Sequence, residues 1–222
     1  MSDQQRGRAS SERGFTVIEV LIVIAVSGIL CAIAIPQLTA QRRLLRTNGV
    51  SREIGVQLRY ARQMALSQRK AFTFQYNDSN KQISIIGPIP LGTAALADIN
   101  YPNNTGSSVI LTVSLTQSGL SAAELKEGIP TTSTGLRAGS PTIPTGPLAD
   151  GISKTTLSSG KLNITFQPDG SVIDATGAPV NKALFFFNNK AAEETATALS
   201  VLGSSGRVKL WRYKTNGNAY AE

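Results

Sequence analysis

The hydrophobic and polar residues of this 222-residue chain change their spacing twice along its length. Residues 20–41 contain no charged side chain and are mostly aliphatic. At about 1.5 Å per residue, this run would be about 33 Å long as a helix, which matches the hydrocarbon core of a bilayer. The pattern therefore predicts a membrane-spanning helix over residues 15–41.

A second helical pattern occupies residues 42–70, where apolar residues recur at spacings of three and four. This spacing is typical of a helix with one buried face. The residues that form the predicted face are Val50, Ile54, Leu58, Ala61 and Ala65. The sequence thus predicts an amphipathic helix that continues the apolar one.

After Lys70 the spacing changes to a period of two, which indicates β-structure. Phe72, Phe74 and Tyr76 alternate with polar residues, and Ile83 and Ile85 alternate again after a polar turn. This pattern predicts a hairpin whose aromatic residues lie in the core.

The remainder of the chain predicts further strands around a variable insertion at residues 88–160. The insertion is rich in Pro, Gly, Ser and Thr, with one clear strand at residues 108–114 and an expected exposed loop at residues 131–148. Strands are expected at residues 162–166, near 172, and at 183–187, 196–202 and 207–213. The predicted fold is α+β, with the long helix packed on an antiparallel β-sheet domain formed by residues 71–222.

Composition excludes several classes of site. The chain has no histidine, and its single cysteine, Cys31, lies inside the apolar run. Histidine-based triads, most zinc sites and an intrachain disulfide are therefore excluded. We expect no cofactor, no metal and no enzymatic activity.

The net charge of +8 is concentrated in residues 42–70, which contain eight basic residues and one acidic residue. These arginines are open to three interpretations: a solvated face, contact with headgroups or acidic neighbouring subunits, or contact with nucleic acid. Only Tyr60 is interleaved with them as a stacking aromatic. The candidates are Arg42, Arg43, Arg46, Arg52, Arg59 and Arg62.

Glu19 is a carboxylate at the start of an otherwise uncharged apolar run. A charge near the bilayer core costs roughly 2.5–3.5 kcal/mol, and less near the interface. Glu19 could simply lie at the headgroup boundary, or it could pair with a positive group of its own or a neighbouring chain. Taken alone, the apolar run could also be a conventional signal peptide or a simple signal anchor.

The stretch GFTVIEVLIVIAVSGIL, residues 14–30, resembles the amino terminus of the type IV pilin and type II secretion pseudopilin superfamily. The resemblance implies that residues 1–14 are a leader, cut by prepilin peptidase between Gly14 and Phe15, and that Phe15 is then N-methylated. It also implies that Glu19 sets the register of subunits in a filament through the new amine. Pro36 falls where many of these proteins have a helix-kinking proline.

Residues 58–65, 164–170 and 206–210 resemble the H-type minor pseudopilins and related minor pilins of type IV pili. The resemblance implies a structural subunit that helps to initiate or cap a pilus or secretion pseudopilus; the alternative is a DNA-binding minor pilin of a DNA-uptake pilus. The implied partners are prepilin peptidase, other pilins, an inner-membrane assembly platform and, before assembly, membrane lipids. The implied location is the bacterial inner membrane, with the carboxyl-terminal domain in the periplasm, and later an extracytoplasmic filament.

Overall fold

The computed structural model describes residues 15–89, 108–118, 120–174 and 177–222. The predicted leader and residues 90–107 of the predicted insertion lie outside this part. The chain divides into two compact units between Gln41 and Arg42. Helix α1, Val17–Gln68, covers the predicted segments 15–41 and 42–70 except for two residues at each outer end.

The second unit contains two antiparallel sheets in addition to the end of α1. The strands are β1 Ala71–Asn77, β2 Gln82–Ile89, β3 Ser108–Ser114, β4 Leu125–Glu127, β5 Lys161–Phe166, β6 Lys182–Asn188, β7 Thr197–Leu202, β8 Arg207–Lys214 and β9 Ala219–Ala221. The first sheet has the strand order β3-β2-β1-β5 and the second the order β4-β6-β7-β8-β9. Short helices are the 3-10 turns Leu115–Ser118 and Thr215–Gly217 and the α-helix α2, Ala192–Thr195. The α+β prediction is confirmed.

The predicted hairpin is formed by β1 and β2, with Phe74 opposite Ile85 and Tyr76 opposite Ile83. β1 lies between β2 and β5, and its polar residues are buried as well as its aromatic ones. They are satisfied across the sheet: the Thr73 and Thr165 hydroxyls are 2.8 Å apart, and Gln75 donates to Asn163 over 3.0 Å.

The main core is shared by α1 and both sheets. The five apolar residues predicted to form the buried helix face are each at most 1% exposed. They cluster with Phe74 and Phe166 of the first sheet and with Leu199 and Val201 of the second. One buried polar contact crosses the same interface, where the hydroxyls of Ser51 and Thr197 are 3.2 Å apart.

The prediction of an exposed loop at residues 131–148 is wrong in part. The segment has no regular secondary structure, but it buries Leu136, Ile143 and Leu148 against the second sheet. Their partners include Phe187 and Tyr213 for the first two and Phe185 and Trp211 for the third. The segment covers the sheet face opposite the helix because the strands there are apolar on both faces.

Two glycine turns meet at the junction of the sheets. Gly170 ends the turn after β5 and Gly206 ends the turn between β7 and β8, with φ of 82° and 61°. A Cβ added to Gly206 would lie 1.9 Å from the Gly170 carbonyl oxygen. Glycine is therefore required at position 206 both for its backbone angle and for this close approach.

We predict that Gly206→Ala destabilises the folded chain by about 1–3 kcal/mol more than Gly139→Ala. Gly139 is the matched control because it also has positive φ, 88°, but has open space where a Cβ would lie. The measurement is urea unfolding of the detergent-solubilised chain, followed by the fluorescence of its one tryptophan, the buried Trp211. Equal losses in the two variants would contradict the predicted close contact.

Candidate functional site

The amino-terminal segment begins with a hydroxyl cap. The Thr16 hydroxyl accepts a hydrogen bond from the backbone N–H of Glu19 over 3.3 Å, and the Thr16 carbonyl accepts one from Val20. Thr16 and Glu19 have the spacing of a capping box, a signal the sequence reasoning missed. A carboxylate in the first turn is also favoured by the helix dipole, so the placement of Glu19 has a local cause as well.

The apolar side chains of this segment are exposed on every side of the helix. Phe15 and Val17 are each 79% exposed, and further along the helix Ile24 and Ile35 are 63% and 61% exposed. The helix is long and apolar enough to cross a membrane. A helix that is apolar all round is stable when lipid or other apolar helices surround it.

Helix α1 continues through position 36. The kink at Pro36 stays a prediction. Gly14 lies outside the described residues, so the cleavage site is represented in the structure only by Phe15, which is exposed.

The six candidate arginines differ in their surroundings. Arg42, Arg46, Arg52 and Arg59 are exposed, whereas Arg43 and Arg62 are half-buried. Arg43 lies near enough to Glu124 to help lower the pKa of that carboxyl. The structure therefore does not bring all six guanidinium groups to one open surface.

Arg62 lies against the junction of the two glycine turns. Its Nε atom would be 3.2 Å from a Cβ at Gly170 and 2.9 Å from one at Gly206. This Nε is buried and has no hydrogen-bond partner among the described residues. The three sequence segments that resemble the minor subunits thus meet around one side chain, an arrangement that their separation in sequence concealed.

The second unit also contains a cavity of about 530 Å³ beside β4, lined by Glu127, Phe187 and Asn189 and by the loop at 133–135. Burial raises the pKa of Glu127, although Lys154, 3.1 Å away, opposes the shift. Within the described part of the chain, no three His, Cys, Asp or Glu residues are grouped to hold a metal ion.

Residues 9–35 match the family model of the prokaryotic N-terminal methylation motif. Over 91 residues the chain is 35% identical to the type IV major fimbrial protein FimA of Dichelobacter nodosus. That alignment covers 40% of this chain and 54% of FimA, so the chain spans about half the length of this relative. Two crystal structures of the type IV minor pilin FimU of Pseudomonas aeruginosa are similar at 16% identity, with TM-scores of 0.42 and 0.41, over 79% of this chain and 92% and 97% of theirs.

We predict opposite pH dependences for two neighbouring glutamates. Burial raises the pKa of Glu127, so its protonated carboxyl contributes to stability at pH values below the ordinary pKa of 4.5. This contribution is lost as the pH rises through the pKa of the folded state. Glu127→Gln should therefore gain unfolding free energy relative to the parent chain between about pH 4 and 7. The measurement is urea unfolding followed by Trp211 fluorescence at both pH values.

Glu124→Gln is the matched control. Burial opposes the shift, but hydrogen bonds from Lys190 and Asn188 lower the pKa of Glu124 overall, so its stabilising contribution is present at neutral pH and lost on acidification. This variant should lose stability relative to the parent over the same pH rise. A change of the same sign in the relative unfolding free energy of both variants would refute the opposite pKa directions of the two glutamates.

Proposed function

We propose that the chain is a type IV pilin superfamily member, a minor pilin or pseudopilin that helps to initiate or cap a filament; the methylation-motif match and the likeness to a fimbrial protein support this. Members of this superfamily are structural subunits rather than enzymes. In the proposed pathway prepilin peptidase cuts between Gly14 and Phe15, and Phe15 becomes the N-methylated first residue. The mature chain is held in the inner membrane by its apolar helix and then enters the filament.

The observation that carries the proposal is the position of Glu19. It is the single charge between Phe15 and Gln41, and it lies four residues after the amine that cleavage would create. In an apolar surrounding, an unpaired carboxylate is costly, whereas one paired with an amine is not. The amine of a neighbouring subunit would therefore select one axial position for each helix.

The orientation of the chain needs the dedicated leader. Arg42, Arg43 and Arg46 directly follow the apolar run, which by itself favours a cytoplasmic location for the following domain. A periplasmic domain requires insertion by a route that overrides this preference. The inner-membrane assembly platform and prepilin peptidase are the partners that the proposal requires.

The junction around Arg62 supports the assignment to the minor subunits. The segments at 58–65, 164–170 and 206–210 resemble those proteins, and Arg62, Gly170 and Gly206 are in contact. Among the described residues nothing favours the DNA-binding alternative, because Arg43 and Arg62 are half-buried and the six arginines do not form one open face.

We predict that Gly14→Val leaves an uncut precursor, since a bulky residue would obstruct the scissile bond. Gly7→Val, which changes the other glycine of the leader, should mature normally. Immunoblotting of membranes from the native host separates the two lengths. Normal maturation of Gly14→Val would disprove cleavage at this bond.

We predict that Glu19→Gln is processed normally, but that its amount in filaments sheared from the cells falls at least about tenfold. A loss of about 1.4 kcal/mol of assembly free energy corresponds to that factor. Glutamine preserves the capping-box geometry and removes only the charge. Glu53→Gln, in the second unit, is the control and should assemble normally. Undiminished assembly of Glu19→Gln would show that the carboxylate acts only as a helix cap.

A further inference from the structure

The second sheet ends at β4, which among the described residues pairs with β6 alone. On either side of β4, the Asn189 N–H donates to the Glu124 carbonyl over 2.9 Å, and the Gly128 N–H donates to the Phe185 carbonyl over 2.7 Å. Because an antiparallel ladder alternates, Glu127 turns its backbone N–H and C=O away from β6. Neither group forms a hydrogen bond with a described residue. The edge of the sheet therefore offers a free donor and a free acceptor on one residue.

The cavity of about 530 Å³ lies beside this edge. Its volume falls within the range of ligand pockets, roughly 300–1,000 Å³. The lining includes two apolar side chains, the buried Phe187 and the half-buried Ile129. Gly135 holds the loop wall close to the end of β6, since a Cβ there would lie 2.5 Å from the Asn189 carbonyl oxygen. The cavity is therefore preformed, with space for an apolar group.

The polar groups of the lining favour a ligand that has both a carboxylate and a hydrogen-bond donor. Lys126 is exposed and forms no ion pair with a described residue, whereas Lys154 pairs with Glu127 over 3.1 Å. The side-chain oxygen of Asn189 is buried and accepts no hydrogen bond from a described residue. A buried acceptor without a partner is costly, so a donor supplied to this wall is favoured.

We propose that β4 and the cavity bind an extended peptide segment of a partner protein, with an apolar side chain in the cavity and a carboxylate on Lys126. The segment would add a strand to the sheet by pairing with the backbone N–H and C=O of Glu127. Side chains on one face of a strand are two residues apart, so the apolar and acidic residues of the segment would have that spacing. The inference goes beyond the proposed filament role and does not depend on it.

A small polar molecule is the competing occupant of the cavity. It could fill the space and contact Lys126, but it would have no need of the free N–H and C=O of Glu127. These two groups, from one residue of an edge strand, match the spacing of an added strand. The hydrogen bonding of the Glu127 amide therefore distinguishes the two occupants.

The test uses the detergent-solubilised full chain and a synthetic probe, the peptide acetyl-Thr-Val-Thr-Phe-Thr-Asp-Thr-amide. The Val, Phe and Asp side chains of the probe lie on one face when it is extended. Hydrogen–deuterium exchange is read at single amides by fragmentation mass spectrometry. At a probe concentration of about ten times Kd, exchange of the Glu127 amide should slow about tenfold, and that of the β9 amides less than about twofold.

Matched variants test the cavity and the charge separately. Ser133→Trp, at an exposed residue of the lining, should weaken probe binding at least about tenfold, whereas Thr132→Trp, at an exposed neighbour outside the lining, should change it less than about twofold. Lys126→Glu should also weaken binding of this probe. It should favour a second probe in which Lys replaces Asp.

Four results would each overturn the inference. They are no saturable binding of the probe below about 1 mM, unchanged exchange of the Glu127 amide when the probe is bound, equal binding of a probe N-methylated along its backbone, and binding that is insensitive to Lys126→Glu. Binding with unchanged Glu127 exchange would indicate a cavity ligand instead of an added strand. Maturation and filament entry are measured separately, so failure here leaves the proposed filament role standing.

Discussion

The apolar run at the start of α1 has exposed apolar side chains on all sides within the described part of the chain, and this constraint determines how the molecule can exist. Burying one large aliphatic side chain is worth about 1.5–3 kcal/mol, so a run of such residues strongly disfavours water. In the proposed role, lipid surrounds the helix first and other subunits surround it in a filament. Glu19 is acceptable in both only if its charge lies near the interface or is paired.

The rest of the fold holds the second half of α1 in one orientation on the β-domain. Val50, Ile54, Leu58, Ala61 and Ala65 have essentially no exposed surface, and both sheets contribute to the core that covers them. Arg62 adds a contact with two turns that approach each other too closely for any residue but glycine at position 206. In the proposed role, this packing would fix the β-domain to the second half of α1 when the subunit assembles.

Much of this architecture was predictable from the spacing of apolar residues. The buried face of residues 42–70, the first hairpin and β5 have clear periodic patterns, and β3, β6, β7 and β8 are marked by short apolar runs. β4 and β9 have three residues each, too few to establish a period. Residues 131–148 were misinterpreted because Leu136, Ile143 and Leu148 are separated by Pro and Gly and show no period, although each is buried.

At the amino terminus, the sequence predicted the apolar helix but not the hydrogen bond that caps its first turn. The spacing from Phe15 to Glu19 pointed to the assembly role, whereas the Thr16 cap is a short-range interaction that the superfamily pattern obscured. The position of Arg62 could not be predicted, because its neighbours lie more than one hundred residues away in sequence. Long-range contacts of this kind depend on the strand order, which the pattern does not specify.

The most direct test of the account is the intact mass of the protein recovered from membranes and from sheared filaments of its native host. The account predicts one chain in both fractions, beginning at Phe15 and heavier than the cut sequence by one CH2, because the N-methyl group replaces one hydrogen. A full-length chain in both fractions, or a shorter chain that has lost residues 15–41, would contradict it.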